Sequence, residues 1–168
     1  VLNLPSSWLG GANGITLDAQ GAVIATGAIQ AATGLDIWTR KYTDVGVDKT
    51  IVWTRTVNGT GNLDDVGYGI TADPMNNVIV AGSETVTGQL ANQWVRKYDP
   101  AGNEVWTQKY GSPSNLNDIL YSVDADTDGS IVVGGFEALA NNTADVFVRK
   151  YSAAGAVLWT QKYNGNAD

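Results

Sequence analysis

The chain has 168 residues, 43% of them hydrophobic and 16% charged, with a formal net charge of −7. That is about one domain with enough apolar material for a packed core, and an acidic surface that repels phosphate backbones, so nucleic acid is not an expected partner. His and Cys are both absent, which removes disulfides, Cys/His zinc sites, Cys nucleophiles and every His-based triad.

Residues 1–13 are expected to be an N-terminal segment outside the regular pattern. Val1-Leu-Asn-Leu4 falls where the last strand of a preceding unit would lie, and Pro5-Ser-Ser-Trp8 reads as a cover for a sheet edge or a contact with a neighbouring subunit. From Gly14 onward the chain repeats itself. Gly14-Ile-Thr-Leu-Asp18 returns as Gly69-Ile-Thr-Ala-Asp73 and Ser122-Val-Asp-Ala-Asp126. Val23-Ile-Ala-Thr-Gly27 returns as Val78-Ile-Val-Ala-Gly82 and Ile131-Val-Val-Gly-Gly135. Ile37-Trp-Thr-Arg-Lys-Tyr42 returns as Gln93-Trp-Val-Arg-Lys-Tyr98 and Val146-Phe-Val-Arg-Lys-Tyr151. The last segment of each unit carries Trp53, Trp106 and Trp159, spaced by 53 residues. The units are therefore residues 14–57, 58–110 and 111–163, and 164–168 reads as the approach to a further one.

Each unit predicts four short strands, rich in Val, Ile, Thr, Trp and Tyr and bounded by Gly, Asn, Asp or Pro. No stretch carries a sustained 3.6-residue period with caps, so helices are not expected, and no apolar run is long enough to span a membrane. Gly21, Asn76 and Gly129 fall three residues after Asp18, Asp73 and Asp126, where a tight hairpin needs positive φ. Gly102 and Gly155 mark the last turn of units 2 and 3, while unit 1 has a loop three residues longer at Thr43–Thr50. Thirteen of the 15 aromatics sit at repeat-equivalent positions, Trp8 and Phe136 being the exceptions, which marks them as packing residues. Four-stranded units at this period predict an all-β chain: a β-propeller of four-stranded antiparallel blades, three per chain. Three blades leave a ring incomplete, so further blades of a longer protein or self-association with a partner chain is expected, a closed twofold pair being favoured.

The motifs resemble the SBBP-type β-propeller repeats of exported bacterial proteins. In that family an Asp-rich turn precedes an apolar strand ending in Gly, then an Asp-led strand with Lys, then Gly-Asn-x-x-Trp. Asp73 to Gly82, Asn92 to Tyr98 and Gly102-Asn-Glu-Val-Trp106 follow that order, and the resemblance spans Gly14 to Tyr163. It implies blades and an extracellular or cell-surface location, and no shared activity.

Candidate sites each have a structural counterpart. Asp124-x-Asp126-x-Asp128-Gly129-Ser130 alternates three carboxylates and a carbonyl in the manner of a Ca²⁺ loop, but Gly135 stands where a bidentate Glu would complete it, so a solvated hairpin turn is the favoured reading. No other cofactor is implied. Arg40, Arg96 and Arg149, followed by Lys41, Lys97 and Lys150, could form an anion-binding ring, yet repeated pairing with Asp36, Asp145, Asp65 and Asp118 explains them structurally. Asp64 with Asp65, or Glu84 with Glu137, are the available acid pairs for a glycosidase, but no acid stands apart from the repeat, so no enzyme is expected. Trp8 could stack on a sugar, and Asn58 and Asn141 begin glycosylation sequons. The functional expectation is a binding or assembly scaffold whose variable loops, 29–35, 43–50, 86–91 and 138–143, face a protein ligand. The alternative is a lectin-like propeller with glycan sites between blades.

Overall fold

The computed structural model describes residues 10–43, 50–140 and 143–164. They form twelve strands and no helix: β1 (Gly10–Leu17), β2 (Val23–Gln30), β3 (Leu35–Tyr42), β4 (Ile51–Val57), β5 (Asp65–Ala72), β6 (Val78–Thr85), β7 (Ala91–Tyr98), β8 (Glu104–Tyr110), β9 (Asp118–Ala125), β10 (Ile131–Ala138), β11 (Ala144–Tyr151) and β12 (Val157–Tyr163). Consecutive strands pair antiparallel, giving three four-stranded sheets in the orders β1-β2-β3-β4, β5-β6-β7-β8 and β9-β10-β11-β12. The all-β expectation and the three blade-like units are thus present. The expected N-terminal segment, partly outside the described residues, gives up Gly10–Asn13 to β1. Gly10, Gly11 and Ala12 pair with Ile29, Ala28 and Gly27, and a bulge at Asn13 restores register. Gly27 permits this approach, because a Cβ there would overlap the Gly11 carbonyl.

The same bulge recurs at Tyr68 and Tyr121, and a second one turns Val52, Val105 and Leu158 outward on the fourth strand of each sheet. The hairpin turns have the backbone expected of them: φ is +78° at Gly21, +63° at Asn76, +79° at Gly129, +82° at Gly102 and +87° at Gly155.

The sheets pack face to face in succession, and the first strands adjoin in the same order, β1 against β5 and β5 against β9. Between sheets 1 and 2 lie Ile24, Ile37 and Trp53 on one side and Val78, Val80, Trp94 and Tyr98 on the other, flanked by Val57 and Ile70. Between sheets 2 and 3 the corresponding layer joins Ile79, Ala81 and Val95 to Leu120, Ile131, Val133, Phe147 and Tyr151. Each seam is also stitched near its outer strands. Trp53 Nε1 donates to the Pro100 carbonyl and Trp106 Nε1 to that of Ala153, both at 3.1 Å. The turn glycines Gly102 and Gly155 lie beneath these indoles, where a Cβ would approach ring carbons to 2.8 and 2.9 Å. Near the inner strands, the bulge tyrosines Tyr68 and Tyr121 meet edge to face at 5.3 Å.

Candidate functional site

The repeated charges are paired, but not with the acids the sequence suggested. Lys41 Nζ lies 2.7 Å from Asp18, Lys97 Nζ 2.8 Å from Asp73 and Lys150 Nζ 3.4 Å from Asp126. The partners are the hairpin-turn aspartates. Asp73 also accepts the backbone N–H groups of Met75 and Asn77. Burial pushes its carboxyl up, and the Lys97 ammonium with the Asn77 donors more than offsets this, so it titrates below the usual carboxylate range.

Arg40, Arg96 and Arg149 form no ion pair with Asp36, Asp65, Asp118 or Asp145 among the described residues. Each donates through Nε to the threonine directly across its hairpin: Thr54 at 2.8 Å, Thr107 at 2.6 Å and Thr160 at 2.8 Å. Their guanidinium groups also lie over flanking rings, Arg40 over Trp38 at 5.1 Å, Arg96 over Trp94 at 5.1 Å and Arg149 over Phe147 at 4.8 Å. The expected pairing with Asp36, Asp145, Asp65 and Asp118 is corrected accordingly: strand register sets a threonine hydroxyl opposite each guanidinium, and the carboxylate that Arg96 meets is Glu104, at 3.2 Å.

Asp65 and Asp118 are fully buried and hold the connections between sheets. Asp65 accepts from Gly59 N and Thr85 N, and Asp118 from Ser112 N at 2.5 Å and Ala138 N at 3.1 Å. Burial raises the Asp65 pKa despite these donors, and the nearby Glu84 and Asp36 carboxylates add to the rise. Asp64 turns instead to Leu35 N in sheet 1, at 2.9 Å. Glu84 meets Lys109 at 2.5 Å, and Glu137 meets Lys162 at 2.5 Å and the Tyr110 hydroxyl at 3.0 Å. The acid pairs considered for hydrolysis are therefore engaged in separate structural tasks.

The alternating aspartates of unit 3 do not converge. Asp124 lies on β9 and accepts from Ala125 N, Asp126 accepts from Thr127 N and faces Lys150, and Asp128 accepts from Ser130 N. Among the described residues no cluster of three or more metal-ligating side chains is present. The Ser130 carbonyl, the fourth expected ligand, accepts from Asp126 N at 2.8 Å. Trp8 and Asn141 lie outside the described residues, while Asn58 is exposed and donates to Asn62.

Two open features bear on ligand binding. A cleft of about 300 Å³ between sheets 1 and 2 is lined by Arg55, Arg96, Tyr98, Asn103 and Glu104 among others. Arg55 was missed by sequence reasoning, although Gln108 and Gln161 occupy its position in the other units. Its Nε donates to Gly102 O at 2.6 Å and its NH1 to Thr54 O at 2.8 Å. Elsewhere, two of the variable loops converge: Leu90, Leu116, Ala138 and Leu139 line a shallow apolar groove. The loop at 43–50 lies mostly outside the described residues.

No known family model matches the chain, and no curated protein matches it in sequence.

Proposed function

We propose that the three sheets are blades of a β-propeller and that the protein is a non-enzymatic binding or assembly scaffold. One observation supports this above the others: apart from Asp36, the buried acids and lysines hold turns, loops and neighbouring sheets together, while the outermost sheet faces carry exposed apolar side chains. Asp65, whose pKa is raised by burial, has both carboxylate oxygens occupied by backbone N–H groups and does not line the cleft. The SBBP-type repeat pattern supports the same reading and an exported or cell-surface location, with further blades or a partner chain completing the ring.

A second reading is favoured by the cleft beside Tyr98 and Arg96, whose polar lining and aromatic wall suit a sugar ring. Titration with a glycan panel, run beside a screen of chromogenic glycosides, separates the two. The scaffold reading expects neither binding nor turnover. Binding lost in Arg96→Ala would transfer the function to the cleft, and turnover would sink the scaffold reading.

A further inference from the structure

The outer face of sheet 3 repeats the face with which sheets 1 and 2 each hold their successor. In the seams Ile37 and Gln93 are 1% exposed, whereas Val146, at the same register of β11, is 53% exposed. Trp53, which caps the first seam, is 6% exposed; its counterpart Trp159 is 41% exposed. Tyr163 stands open at the position where Tyr110 packs against the second core layer. A shallow groove runs across this face along Val132, Gly134 and Val148.

The opposite flank of the molecule carries the matching half. Ile15 and Leu17 on β1 are 72% and 61% exposed. At the same register Ile70 packs against the first core layer, and Val123 and Ala125 against the second. Trp38 and Tyr42 occupy the positions of Trp94 and Tyr98, which sheet 1 buries against its own core.

We infer that these two flanks bind each other between copies of this chain: the sheet 3 face of one copy takes the sheet 1 face of a second copy, and reciprocally, closing a six-bladed ring about a twofold axis. This rests on the blade reading above and names the partner. The contact would continue an interface the chain already makes twice within itself, using the same residue types at the same register. Number favours closure with two copies. Propeller rings hold about four to eight blades, and two copies of this 168-residue stretch, with three sheets each, supply the only multiple of three in that range. Because the two flanks differ, each contact is head-to-tail, and two such contacts related by the twofold axis close a ring rather than extend a filament. The Lys150–Asp126 pair would then acquire the cover that Lys97 receives from Ala153, whose carbonyl accepts from its ammonium at 3.2 Å.

Light scattering after gel filtration of the 168-residue chain tests this. The expected mass is twice 17.7 kDa. Val146→Glu and Ile15→Glu alter side chains that are exposed in the single chain, so each should fold and halve the mass, since either one breaks both contacts of the ring. Leu158→Glu is the control. Its residue is turned outward by a bulge, as Val52 and Val105 are in the sheets that do have successors, so it should leave the mass unchanged. A folded single-chain mass, verified by far-UV circular dichroism, would overturn the inference, as would a ladder of larger species or a pair indifferent to both substitutions. Those outcomes leave the scaffold reading standing with other blades as the occupant. Glycan binding or turnover would sink that reading without altering the mass.

Discussion

The seam between sheets 2 and 3 and the outer face of sheet 3 are built from nearly the same residues, yet they hold them differently. Lys97 and Asp73 are almost wholly enclosed and meet at 2.8 Å; Lys150 and Asp126 lie 3.4 Å apart, with the lysine 22% and the aspartate 52% exposed. In the enclosed pair Asp73 accepts the turn's N–H groups, whereas in the open pair Asp128 takes over the Ser130 N–H and Asp126 reaches only to Thr127. The lesson is that a repeated residue does not carry a repeated energy. A following sheet excludes water, and that exclusion decides what an ion pair or an indole contributes.

The largest expected break in this comparison comes from the indoles. Trp53→Ala, at the position of Trp159 in the first seam, empties a buried site and should cost about 3–5 kcal/mol, while Trp159→Ala should cost well under ~1 kcal/mol. Urea unfolding in the Val146→Glu background, chosen so that self-association does not contribute, measures both. Equal costs would mean that the two faces are not distinguished by burial.

Next in size is the ion pair. Lys97→Met strands the Asp73 carboxylate beneath sheet 3 and should cost about 3 kcal/mol, with Lys150→Met leaving the midpoint nearly unchanged. The pH dependence sharpens this. Asp73 is held below its unfolded pKa, so its contribution is complete above that value, ~3.9, and is lost as pH falls through the folded value. Asp73→Asn should therefore flatten the fall in urea midpoint below about pH 4. An unchanged acid slope would remove Asp73 from the account.

The smallest effect separates two turns. Gly155→Asn presses a Cβ toward the Trp106 indole and should cost about 1–2 kcal/mol, whereas Gly21→Asn has open space around it and copies the residue already present at Asn76. Thermal unfolding of the two variants should rank them in that order.

The strands and turns were legible because each rests on short-range chemistry that the units repeat: β-branched runs, and Gly or Asn where φ must be positive. The start of β1 was not, since Gly10-Gly-Ala12 looks like linker until Gly27 is seen opposite it. The pairing of charges was legible in kind and not in detail. Counting acids near Arg40 points to Asp36, but hairpin register brings Thr54 to its Nε, and Asp18 is held for Lys41 by the preceding turn. The alternating aspartates of unit 3 resembled a cation loop because spacing alone does not reveal that each carboxylate turns to nearby backbone. Arg55 was hidden because its one distinguishing mark is replacing a glutamine of the repeat.

Every sheet is a simple meander, and among the described residues each strand's backbone ladder stays within its own sheet. During synthesis, each set of four strands can therefore zip up as soon as its last member has left the ribosome, without waiting for distant chain to return. The slow step is left to the docking of finished sheets, and a sheet awaiting its neighbour exposes Trp and Tyr to solvent. The same independence makes the unit easy to duplicate or delete in a gene, since one unit more or fewer disturbs no hydrogen-bonded ladder.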